Sequence, residues 1–151
     1  MSDSRSLQDI LDRLDVQDVL FRYARALDTR DWELLRSCFQ PDVVATYDEL
    51  GEQQGYDAVE QLCRRALEPL AATQHLIGNV EVFLDGDNAR SRCNLQSMHV
   101  RSRRDGDDNF IVAGVYLDEL RRTADGWRIA RRRLQRVWTK GDLSGHGKAD
   151  A

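Results

Sequence analysis

Apolar residues near the start of the chain recur at three- and four-residue spacing. Leu7, Ile10, Leu11 and Leu14 form one stripe, and Val16, Val19, Leu20, Tyr23 and Leu27 form the next. Residues 7–28 therefore read as an amphipathic helix. A second short helix, "DWELLRSCF", follows with Asp31 as its N-cap, and Pro41 is expected to end it. "DVVATYDEL" alternates loosely as a first strand, and "GEQQG" reads as a turn. "YDAVEQLCRRALEPL" returns to helical spacing, with Val59, Leu62, Ala66 and Leu70 on one side.

From residue 73 onward the period is two. Strands are expected near 73–84, 88–102, 109–122 and 126–138, separated by "DGDN", "RRDGDD" and "TADG", turn sequences that close hairpins. Consecutive strands joined in this way make an antiparallel meander. Helices first and a sheet afterwards predict an α+β domain, with the helices lying across one sheet face. In the strand 88–102, Ala89, Ser91, Cys93, Leu95, Ser97 and His99 share one parity and are expected to face inward. Arg90, Arg92, Asn94, Gln96 and Met98 take the other parity. A single domain over residues 1–140 accounts for this pattern. The polar, glycine-rich tail at 141–151 is expected to be disordered, which sets His146 aside.

Composition excludes more than it adds. A chain of 151 residues is long enough for one domain with a real core. The net charge of −4 argues against a nucleic-acid partner, since the basic clusters "VRSRRDGDD" and "RIARRRLQRVW" belong to no nucleic-acid module. No apolar run approaches the ~20 residues that cross a bilayer, and "MSDSRSLQDI" lacks a secretory pattern. Cys38, Cys63 and Cys93 are odd in number and widely spaced, which fits a reducing cytoplasm better than a disulfide framework or a zinc knuckle. Neither a metal nor a cofactor is expected. Arginines mixed with Met98 and Val100 on the outward parity suggest that a homodimer or homotrimer covers the outer sheet face.

Four residues carry candidate chemistry. Asp28 ends the first helix, where the macrodipole disfavours a carboxylate by roughly 0.3–1 kcal/mol. His75 stands in "TQHLIGNVEV" at the mouth of an apolar strand, His99 ends the inward parity of the next strand, and Tyr47 lies in the first strand. Each also has an ordinary reading, as a turn residue, a satisfied structural histidine, a rim histidine or core packing.

Three stretches together, "RYARALDTRDWELLRSCFQPDVV", "TQHLIGNVEV" and "GVYLDELRRTADGWRIARRRLQRVW", resemble the SnoaL-like branch of the nuclear-transport-factor-2-like superfamily. Within it the chain is most similar to scytalone dehydratase, hexachlorocyclohexane dehydrochlorinase and bile-acid dehydratase. The resemblance implies a cone, in which helices fill the hollow of a curved antiparallel sheet and a pocket opens at one end. It also implies a catalytic dyad of Asp28 and His75, with Tyr47 and His99 at further catalytic positions. Tyr23, Tyr116 and Arg132 fall at pocket positions of those enzymes, although the residue types at Tyr23, Gly114 and Tyr116 differ from theirs. With Asp28 fixing its tautomer, His75 would take a proton α to a carbonyl, Tyr47 would bind the carbonyl oxygen, and His99 would hand a proton to the departing hydroxyl. The expected activity is a cofactor-independent, dehydratase-type lyase acting on a small, mostly apolar hydroxy-carbonyl or polyketide-like compound. An isomerase or polyketide cyclase with the same dyad, a ligand-binding module and a dioxygenase small-subunit-like module remain as alternatives.

Overall fold

The computed structural model describes residues 6–101, 109–144 and 146–147. The "RRDGDD" turn and the end of the tail lie outside the described residues. The first helix, α1, spans Leu7–Thr29. It opens on a reciprocal cap: the Ser6 hydroxyl accepts from the Asp9 N–H, and the Asp9 carboxylate accepts from the Ser6 N–H. It closes at Arg30, in the left-handed region at φ 55.

Only one of the two expected stripes on α1 is buried. Val16, Val19, Leu20, Tyr23 and Leu27 enter the core, whereas Leu7 is 73% exposed and Ile10, Leu11, Leu14 and Phe21 are exposed too. The two stripes lie roughly 180° apart around the helix, so one sheet cannot cover both.

The second helix, α2 (Trp32–Arg36), is capped by Asp31, whose carboxylate accepts from the Leu34 N–H. It ends well before Pro41, which instead lies inside β1 (Phe39–Tyr47). The pairing of β1 is irregular between Phe39 and Val44, and such an interruption accommodates a residue without an N–H. After a 3-10 turn at Asp48–Leu50, the expected "GEQQG" turn proves to contain an edge strand, β2 (Glu52–Gln54), paired with Val44–Thr46. Then come α3 (Tyr56–Leu67), β3 (Leu70–Asp85), β4 (Asn88–Arg101), β5 (Phe110–Thr123) and β6 (Gly126–Lys140). His75 thus lies well inside its strand rather than at its mouth.

The six strands form one open sheet in the order β2-β1-β6-β5-β4-β3. The meander β3–β6 is antiparallel, as expected, but β1 joins β6 in parallel, so the sheet is mixed. Bulges bend it. One lies in β3 between Gly78 and Glu81, with Asn79 at φ 50, and another lies where Gly114 of β5 meets β6. At that second site a Cβ on Gly114 would fall 2.5 Å from the Gln135 carbonyl oxygen, so only glycine fits. On β4 the alternation predicts burial directly: the whole Ala89–His99 parity is buried.

A buried carboxylate fixes the first half of α1. Asp12 accepts two bonds from Arg122, at 2.8 and 2.7 Å, and one each from Gln8 and the Trp127 indole. The Arg122 guanidinium also lies over the Trp127 ring. Its hydrogen bonds to Asp12 outweigh the opposing effect of burial and bring that carboxyl down to about 2. Asp12→Ala should cost about 2–3 kcal/mol in urea denaturation at neutral pH, somewhat less than a fully buried pair because Arg122 reaches solvent. A depressed carboxyl stabilises only while it is ionised. The gap between variant and wild type should therefore shrink as pH falls from ~4 towards about 2.

Candidate functional site

Thr73 and His75 are two residues apart on β3, so both point to the same side, towards the last turn of α1. There Asp28 Oδ1 lies 2.6 Å from His75 Nδ1 and 2.9 Å from the Thr73 hydroxyl, which donates to it. The backbone N–H of His75 donates to both carboxylate oxygens, at 2.9 and 3.1 Å. That N–H is free because β3 is the edge of the sheet, with no strand beyond it among the described residues. Burial works to raise the Asp28 carboxyl, but the bonds from the His75 ring, the His75 N–H and Thr73 hold it below its ordinary value. A carboxylate on Nδ1 places the ring hydrogen there and leaves Nε2 as the acceptor. The His75 side chain is 5% exposed and lines a cavity of about 290 Å³.

Three tyrosines from three elements share that cavity. The Tyr23 hydroxyl of α1 lies 3.4 Å from that of Tyr47 on β1 and 3.3 Å from that of Tyr116 on β5. Burial pushes all three well above the ordinary phenol range, so they remain neutral donors. Leu27, Leu62, Leu95, Val112 and Leu134 supply apolar wall. At the rim, Arg136 is held by Asp48 at 2.6 Å and Glu49 at 2.8 Å.

Other expected residues stand elsewhere or in another state. Arg132, expected at the pocket wall, is fully buried and does not line the cavity. Its Nε and Nη2 each donate to Asp118 at 2.7 Å, and its guanidinium lies 4.0 Å from the Tyr23 ring centre and 4.1 Å from that of Tyr116. Asp118 escaped the sequence reading, yet a carboxylate sharing the parity of Tyr116 and Leu120 requires a buried partner. Cross-strand register supplies it directly in Arg132.

His99 lines the cavity, with its ring 5.9 Å from that of His75 and stacked on Phe110 at 4.4 Å. Its Nδ1 is buried without a hydrogen-bond partner. Burial, reinforced by His146 and His75, drives its pKa down to about 3. A neutral imidazole is a poor acid, so the expected proton transfer from His99 to a leaving hydroxyl does not suit its environment; it is suited to a hydrogen bond.

His146, set aside with the tail, also lines the cavity, edge-on to His99 at 4.8 Å and Phe110 at 4.7 Å. Leu143 packs on the core, and Arg101 donates to the Ser144 carbonyl at 2.9 Å. The leucine in that glycine-rich run was the sequence signal for a contact with the core. Among the described residues, no group of three or more His, Cys, Asp or Glu is arranged to hold a metal ion, and no helix is long and apolar enough to cross a membrane.

The sequence pattern of the SnoaL-like domain matches residues 8–133, which contain every residue of this site except Leu134, Arg136 and the tail. The chain belongs to the SnoaL-like family. SnoaL-like relatives include an uncharacterized protein of Mycobacterium tuberculosis, 35% identical over 131 residues, covering 84% of this chain and 86% of that protein. Terrestric acid biosynthesis cluster protein E of Penicillium crustosum is 31% identical over 143 residues, covering 91% of this chain and 90% of its own. A type 2 hexachlorocyclohexane dehydrochlorinase shares the fold, with a TM-score of 0.79 at 19% identity over 91% of this chain and 93% of the enzyme. The fold is the α+β cone of the nuclear-transport-factor-2-like superfamily, with the helices against a curved six-stranded sheet.

The state of His99 can be read directly. In an NMR titration its ring signals should stay those of a neutral imidazole at pH 5 and move only near a pKa of about 3. A midpoint near the ~6.5 of a free imidazole would show that its packing against Phe110 does not desolvate it.

Proposed function

We propose that this protein is a cofactor-independent lyase of dehydratase type, acting on a small, mostly apolar hydroxy-carbonyl or polyketide-like compound. The observation that carries the reading is the 2.6 Å contact between Asp28 and His75 Nδ1 inside a sheltered cavity that also presents three tyrosine hydroxyls. His75 Nε2 takes the proton α to the substrate carbonyl, and Asp28 stabilises the imidazolium that forms. The C–H electron pair moves into the enolate, whose oxygen accepts a hydrogen bond from the tyrosines. Collapse of the enolate expels the hydroxyl on the neighbouring carbon. Since His99 is neutral, the proton that makes this hydroxyl water comes from the His75 imidazolium. One imidazole thus serves both steps, and the proton and the hydroxyl leave from the same face.

The protein works in a reducing compartment, where Cys38, Cys63 and Cys93 stay free. It assembles as a homodimer or homotrimer through the apolar end of the outer sheet face, where Leu76, Met98 and Trp138 are exposed. Light scattering should give a dimer or trimer, and a monomer would contradict the assembly.

His75→Ala and Asp28→Asn should each lower kcat by ~10²–10⁴-fold with an unchanged circular dichroism spectrum. Mass spectrometry of the product should show the loss of one water. Retained activity in both variants removes the dyad. A product of unchanged mass would instead make the enzyme an isomerase or cyclase using the same base.

A further inference from the structure

We infer that the buried Asp118–Arg132 pair is an electrostatic brace for Tyr23, Tyr47 and Tyr116, which makes their hydroxyl cluster a binding site for an enolate or phenolate oxygen. Arg132 is then a positioning residue that acts through the tyrosines. The inference rests on reading the cavity as a site of proton abstraction, and names where the resulting negative charge is held.

Three hydroxyls carry three protons, and the contacts at 3.3 and 3.4 Å, both made by Tyr23, use two of them. The third is left to donate to a ligand. Hydrogen bonds linked in a chain polarise one another, so the spare donor is a stronger one than an isolated phenol. All three tyrosines line the cavity, so a ligand oxygen can reach the cluster.

The guanidinium, rather than the carboxylate, touches the aromatic rings. It lies 4.0 and 4.1 Å from the Tyr23 and Tyr116 ring centres, with Asp118 bonded to its Nε and Nη2 edge. Its Nη1 is buried with no hydrogen-bond partner. Both side chains of the pair are 0% exposed, so solvent does not screen the charge. Stability alone explains such an arrangement poorly, because a buried ion pair roughly breaks even against apolar residues of equal volume and an orphaned donor is a net cost. An effect on the phenols does explain it. Burial keeps the tyrosines protonated, while the Arg132 charge favours negative charge beside them. The rim guanidinium of Arg136 is already engaged by Asp48 and Glu49. The braced hydroxyls therefore select a neutral substrate that becomes anionic during reaction, rather than a carboxylate or phosphate.

The test uses 4-nitrophenol, whose neutral and ionised forms absorb at different wavelengths, so no substrate is needed. Titrated into the wild-type protein, bound 4-nitrophenol should ionise at least about one pH unit lower than in free solution, a tenfold preference for phenolate. In the double variant Asp118→Leu/Arg132→Met, which removes both charges at similar volume, this preference should disappear. Asp118→Asn alone removes the counter-charge and should enlarge it, which keeps the test decisive if the double variant does not fold. Equal ionisation in the wild type and either variant, or a wild type that binds the neutral phenol or none, overturns the inference. Asp28→Asn should keep the nitrophenol shift while losing turnover, so the dyad and the brace fail separately.

Discussion

The Asp28 carboxylate binds the first helix to the edge of the sheet. Alone, it would oppose the negative end of the α1 macrodipole and lose solvation as the helix docks. Four hydrogen bonds, from Thr73, the His75 ring and twice from the His75 N–H, offset both effects. One of these donors is a backbone group that an edge strand otherwise leaves unpaired. The contact that closes the sheet edge against the helix is therefore also the contact that sets the His75 tautomer. One carboxylate thus anchors the helix and orients the ring.

Polar anchors fix α1 along its length. Asp12 is held by Arg122, Gln8 and Trp127 near one end, and Asp28 by β3 near the other. At ~1.5 Å per residue these anchors lie roughly 24 Å apart. Between them the buried face is apolar until Tyr23, and apolar contacts alone would let a helix slide or rotate at little cost, since they are not directional. Hydrogen-bonded ends remove that freedom. The rest of the cavity inherits the precision, because the Tyr23 hydroxyl must meet hydroxyls from β1 and β5.

Much of this was legible in the sequence wherever a local pattern carries the information. Alternation placed His99 inward on β4, and helical spacing placed Tyr23 and Leu27 on the buried side of α1. The remaining departures depend on partners distant in sequence. The parallel pairing of β1 with β6, and the strand at Glu52–Gln54, have no local signature in so short a run. Arg132 carried the right parity, but its depth is decided by Asp118 opposite it, and no periodicity reveals that a charge is spent on a neighbour. The second stripe of α1 shows the reverse case: Leu7, Ile10, Leu11 and Leu14 are periodic, but the sheet occupies the other face.

Electrostatics narrows the chemistry further than the residue types do. Burial drives the Cys63 thiol up to about 12, and lowers His99 to about 3 and His146 to about 4. The three tyrosines are pushed upward as well. Each of these cavity groups is thereby held neutral around physiological pH, and the rim charges of Arg136, Asp48 and Glu49 are engaged with one another. On the proposed reading, a proton leaving a substrate carbon goes to the imidazole that Asp28 contacts. The tyrosine hydroxyls face the same cavity as donors for the negative charge left behind. A cavity of this kind suits reactions in which one base removes and returns a proton, which is common to elimination, isomerisation and cyclisation. What distinguishes the three is whether the substrate carries a leaving group on the neighbouring carbon, a property of the ligand rather than of the site.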